Sequence, residues 1–123
     1  MSVAKNITQL AYHVLAPPGS WTQGVSMRTE FDEDGHPFQS RCLTAALHYA
    51  QYILSKENRL LSEYDAAVEA ISDRLVKMTG VPRRRTLSDH TWLLITWNDN
   101  PQRKHEDVLN LLKETLDNWE EAQ

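Results

Sequence analysis

Residues 25–54 read VSMRTEFDEDGHPFQSRCLTAALHYAQYIL, and the change of period inside that stretch decides the fold. Val25, Met27, Thr29 and Phe31 alternate with Ser26, Arg28, Glu30 and Asp32, which is the period of a half-buried strand. Asp34-Gly35 follows, a turn dipeptide that tolerates positive φ, and His36-Pro37-Phe38 supplies a short returning arm. A small hairpin is predicted. From Ser40, placed as a helix cap, the spacing becomes helical: Leu43, Ala46, Leu47, Ala50 and Leu54 form one stripe of a helix running to about Lys56.

Helical signals lie on both sides of this stretch. Ile7, Leu10, Ala11, Val14 and Leu15 share one face of a first helix over about residues 3–16, and Pro17-Pro18-Gly19 stops it. A third helix starts at Ser62, with Asp65 three residues on as a capping box; its stripe is Tyr64, Ala67, Val68, Ile71, Leu75 and Met78, and Gly80 and Pro82 end it. Ser88-Asp89 opens a fourth helix through Trp97, chosen over the buried strand that Trp92-Leu93-Leu94-Ile95 would also suit. Val108, Leu111, Leu112, Leu116 and Trp119 mark a final amphipathic helix. The expectation is a mainly α, compact bundle of about five helices with a β-hairpin insert between helices 1 and 2, forming one domain over residues 1–123.

Composition narrows the function classes. At 41% hydrophobic and 24% charged residues the 123-residue chain has ordinary globular usage, far from that of disordered proteins. Its longest apolar run, Trp92–Ile95, is far short of the roughly 20 residues that span a bilayer, so no membrane association is expected. The N-terminus lacks a secretory signal pattern, and the single cysteine, Cys42, cannot form an intramolecular disulfide; both point to the cytoplasm. A net charge of -4 repels phosphate backbones, so any nucleic-acid role would have to be local.

Trp21-Thr-Gln-Gly24, the Asp34-Gly35 turn, Cys42-Leu-Thr-Ala-Ala-Leu47, Trp97-Asn-Asp-Asn-Pro101 and Val108-Leu-x-Leu-Leu112 occur in that order. In this order the chain resembles an uncharacterised family of small proteins from actinobacteria and their phages, known as a domain of unknown function. The resemblance covers about residues 5–116, and Ala45 and Lys104 stand where that family usually has a glycine and often a threonine cap. It implies an accessory protein of a phage or its host, and brings no assigned activity, cofactor or catalytic residue.

Among candidate chemistries, Cys42 near a helix N-terminus could act as a nucleophile, with His90, Asn98 and Asp99 downstream as partners. An unpaired cysteine is also among the most buried residue types, and a structural role is the expectation here. Trp97-Asn98-Asp99 reads first as a buried ring followed by a polar helix end. A second reading has Asn98 and Asp99 orient a ligand between Trp21 and Trp97, with Gln23 and Gly24 in the same loop. Arg74, Lys77 and Arg83-Arg84-Arg85 form the strong basic feature, a solvated loop or a site for phosphates or an acidic protein surface. The histidines have no paired metal-ligand spacing, Asp32-Glu33-Asp34-Gly35 lacks the alternating ligands of a calcium loop, and no phosphate-cradling glycine loop is present, so neither metal nor cofactor is expected. These readings favour a non-enzymatic protein that binds another protein through its hairpin and basic loop. The alternatives are an enzyme using Cys42 or Asp99 and, third, a nucleic-acid-associated factor acting through Arg83–Arg85.

Overall fold

The computed structural model describes residues 2–82 and 86–119. Helix α1 (Val3–Leu15) starts where the Ser2 hydroxyl accepts the Lys5 amide, and its Ile7, Ala11 and Leu15 side chains are fully buried. Strands β1 (Met27–Phe31) and β2 (Pro37–Arg41) form an antiparallel hairpin in which Met27 faces Arg41 and Phe31 faces Pro37. Helices α2 (Leu43–Ser55), α3 (Ser62–Thr79), α4 (Leu87–Asn98) and α5 (His105–Asp117) complete the order. The chain is thus a mainly helical bundle with a hairpin between its first two helices. Helix α1 packs on α2, α3 and α5, and α4 closes the bundle against α3 and α2. One apolar cluster joins all five helices, from Ile7 and Leu15 through Leu47, Ile71 and Leu94 to Leu112.

The helical stripes predict the core well, and the departures have local causes. Cys42, not Ser40, precedes α2, because Ser20 O and Thr22 N pair with Arg41 and extend β2 to that residue. Leu61 precedes α3, and the Ser62 hydroxyl donates to Glu63, so the predicted capping box is absent. Helix α4 begins earlier than Ser88, with Thr86 accepting the Asp89 amide. It carries Trp92–Ile95 as helix, with Leu93 and Leu94 buried and Trp92 outside. Leu54 and Met78 fall in last turns that overhang the core and are exposed. Lys104 has no hydroxyl to cap α5, and the Asp107 carboxylate accepts the Lys104 amide instead.

The largest departure is the hairpin's orientation. Val25, Met27 and Phe31, expected to be half-buried, are 45%, 52% and 68% exposed. The covered face is the opposite one, which carries buried Ser40 and Phe38, packed towards Gly19, and their β1 partners Arg28 and half-buried Glu30. A period of two defines two faces; which one meets the body depends on where the connecting loops leave the strands.

Candidate functional site

Two sequence elements about 75 residues apart meet at the end of α4. The Trp21 indole N–H donates to Asn98 Oδ1 at 2.7 Å, and that oxygen also accepts the Leu43 amide at 3.1 Å. Asn98 Nδ2 donates to Thr22 O and to Asp99 Oδ1, so all four hydrogen-bonding positions of this buried carboxamide are filled. Gln23 Nε2 reaches the carbonyls of Asn98 and Asn100 at 2.8 and 2.7 Å, and the Gly24 amide donates to Asp99 Oδ1 at 3.0 Å. Gly24 sits at φ +78, the left-handed region that glycine enters without strain.

The structure therefore gathers Trp21, Gln23, Gly24, Asn98 and Asp99 into one clasp, whose polar groups bond chiefly to one another and to backbone. Both rings are half-buried, and each has a side chain of the chain itself against one face. Trp21 stacks on His105, whose Nε2 bonds to Leu15 O, and the Arg103 guanidinium lies 4.0 Å over the Trp97 ring. Arg83, Arg84 and Arg85 lie outside the described residues.

Beside the clasp, Cys42, Thr44, Asn98, Asp99 and Ser26 line a pocket of about 150 Å³. Cys42 is 9% exposed and its sulfur lies 3.5 Å from the Thr44 hydroxyl. His90 is not part of this wall; its Nδ1 bonds to the Ser72 hydroxyl at 2.7 Å inside the bundle. The Cys-His-Asn order of the sequence is thus assembled without its imidazole. At the hairpin tip, Asp32, Asp34 and His36 carry ligand atoms within 4.8 Å of one another, all exposed. Asp32 Oδ1 accepts the Asp34 and His36 amides at 2.9 and 2.8 Å, an arrangement the turn itself explains.

A larger groove of about 660 Å³ runs between the hairpin and α2. Ala45, His48, Tyr49 and Tyr52, at helical spacing, form its floor, and Met27 and Arg41 form one side. The Arg41 guanidinium lies 3.9 Å over the Tyr49 ring. Asn58 forms the other side, in a loop whose shape depends on Gln51. That fully buried carboxamide donates to Glu57 O and Arg59 O and accepts the Leu61 amide, while His48 Nε2 bonds to Asn58 O. Among the described residues the lining holds an arginine and a histidine and no acid. The sequence reading missed this groove, although Ala45, Tyr49 and Tyr52 form a second apolar stripe on α2 beside the buried one.

No described helix is long and apolar enough to cross a membrane. The family described as a family of unknown function, DUF6197, matches residues 2–118. Neither a curated protein nor a solved structure matches the chain.

Proposed function

The chain belongs to the DUF6197 family, whose function is unknown, and from its own surface we propose that it is a small accessory protein that binds another protein through the groove between the hairpin and α2. The observation that carries this reading is the groove's composition. Tyr49 and Tyr52 are 37% and 43% exposed beside Met27, and Arg41 lies across Tyr49 with no acidic partner among the described residues. Exposed tyrosines and an aromatic-stacked arginine are the residue types enriched where proteins anchor one another. The positive lining, in a chain of net charge -4, favours a partner segment that brings a carboxylate with a neighbouring apolar side chain. An accessory protein of a phage or its host, as the sequence resemblance implies, would work in this way.

Affinity capture from the native host, with wild type and an Arg41→Glu, Tyr52→Ala variant side by side, tests the reading. A partner lost with the variant and retained by an Arg83, Arg84, Arg85→Ala chain is the expected result. A partner indifferent to the groove substitutions would sink it. The enzyme alternative has one observation in its favour, the pocket shared by Cys42 and Asp99. It ranks second because the Asp99 Oδ1 atom already accepts two N–H groups.

A further inference from the structure

The geometry points to a second function for the hairpin, independent of the groove's occupant: two copies of this chain pair edge to edge through β1, antiparallel about Thr29, to make a four-stranded sheet. The hydrogen-bond phase of the hairpin is the starting point. Cys42 N donates to Ser26 O at 2.9 Å and Asp32 N to His36 O at 3.0 Å. With the observed register, the bonded pairs are therefore the even-numbered residues of β1, Arg28 with Ser40 and Glu30 with Phe38. The N–H and C=O groups of Met27, Thr29 and Phe31 point the other way, and no group among the described residues takes them. The outer edge of β2 is closed, since Ser20 and Thr22 bond to Arg41 at one end and Pro37 has no N–H at the other. Strand β1 has neither device, and Met27 and Phe31 on it are exposed.

The side chains select what fits that edge. Antiparallel self-pairing about Thr29 sets Thr29 against its copy and Met27 against Phe31 of the second copy, using the three outward-facing residues as bonded pairs. In the same register Arg28 faces Glu30 of the second copy, twice by symmetry, at the non-bonded sites where side chains approach closest. Among the described residues neither charge forms an ion pair within its own chain. The adjacent symmetric registers keep the hydrogen-bond phase but fail on charge: one sets Arg28 against Arg28, the other Glu30 against Glu30. Of these three registers only the one centred on Thr29 sets both strand charges against their opposites with no like-charge pair on the axis, which suits an isologous two-fold contact. The axis stands normal to the sheet, so both grooves, each bordered by its own Met27, open towards the same side. Five-residue strands bury less than a standard interface, which makes the dimer concentration-dependent.

Sedimentation equilibrium of the full chain, from low micromolar to near-millimolar, tests this with charge reversal at exposed Arg28 and half-buried Glu30. Wild type is expected to shift from monomer to dimer as concentration rises. Arg28→Glu and Glu30→Arg should each weaken self-association about tenfold or more. Mixed together, the two variants should form a one-to-one heterodimer, and the double reversal should restore the homodimer. Rescue on mixing cannot come from misfolded chains, so it separates lost pairing from lost fold. Thr29→Pro, which removes an outward N–H, should abolish association with the thermal transition retained. A monomer at every concentration would overturn the proposal and leave the edge to a strand of another protein; so would a dimer that the charge reversals leave unchanged, or a mixture without rescue.

Discussion

Asn98 joins three segments of the chain through one carboxamide: the Trp21–Thr22 loop, the start of α2 and the end of α4. Replacing it with alanine leaves the Leu43 amide and the Trp21 indole N–H without their acceptor. A buried donor left unpaired costs about 1–3 kcal/mol, so Asn98→Ala should lower the unfolding free energy by about 3 kcal/mol in a denaturant titration with an unchanged slope. A loss below about 0.5 kcal/mol would mean that the clasp is not structural. Cys42 gives a second residue-level expectation. At 9% exposure beside Thr44 it should react slowly with a thiol reagent in the folded protein and quickly in denaturant. Rapid labelling of the native chain near neutral pH would revive the enzyme reading. The residues of the clasp were legible in the sequence as Trp-x-x-Gly and Trp-Asn-Asp elements. The ligand reading of the sequence already brings the two elements together; that they bond directly to each other is not legible there, because nothing local encodes which distant carbonyl Gln23 will meet.

Helix α2 carries two apolar faces, and they do different work. Leu43, Ala46, Leu47 and Ala50 are fully buried against the bundle, whereas Ala45, Tyr49 and Tyr52 floor the groove. Gln51 lies between these roles, buried, and folds the 57–61 connection back on the helix through three hydrogen bonds. Gln51→Ala should release that connection. Amide exchange at Leu61 should accelerate while α3 keeps its protection, with only about 1–3 kcal/mol lost in stability, and binding of the proposed partner in the groove should weaken. Unchanged exchange at Leu61 would show that the loop holds its shape without Gln51. The hairpin is the complementary case. Its strands and its Asp34-Gly35 turn are readable from the sequence, but alternation points the Val25, Met27 and Phe31 side inward while the structure exposes it, because alternation alone does not say which face a neighbouring loop will cover.

At the scale of the molecule, burial of Tyr64 at 5% exposure, with smaller contributions from the charges of Cys42 and Asp65, pushes its phenol up to about 12 from an ordinary value of 10. The folded state thus holds the phenolic proton more tightly than the unfolded state. The resulting stability is complete below pH 10 and is lost as pH rises through about 12. Two pKa units correspond to about 3 kcal/mol, so Tyr64→Phe should flatten the alkaline decline, and an unaltered profile would assign it to other groups. The basic segment gives a second whole-molecule test. Replacing Arg83, Arg84 and Arg85 with alanine should change stability by no more than about 0.5 kcal/mol, and duplex DNA binding should be undetectable near physiological salt before and after. Salt-sensitive DNA binding lost in that variant would promote the nucleic-acid reading. By itself the sequence determined the five helices, the hairpin between the first two and most of the core. Those features follow from period, breakers and buried area, which are local and additive along the chain. Only the tertiary structure decided that the clasp residues bind each other, that Cys42 and Asp99 share a pocket without His90, and that Arg41 meets Tyr49 at a groove. Each depends on groups distant in sequence or on separate elements, and hydrogen bonds and ring contacts act only over the few ångströms that packing sets.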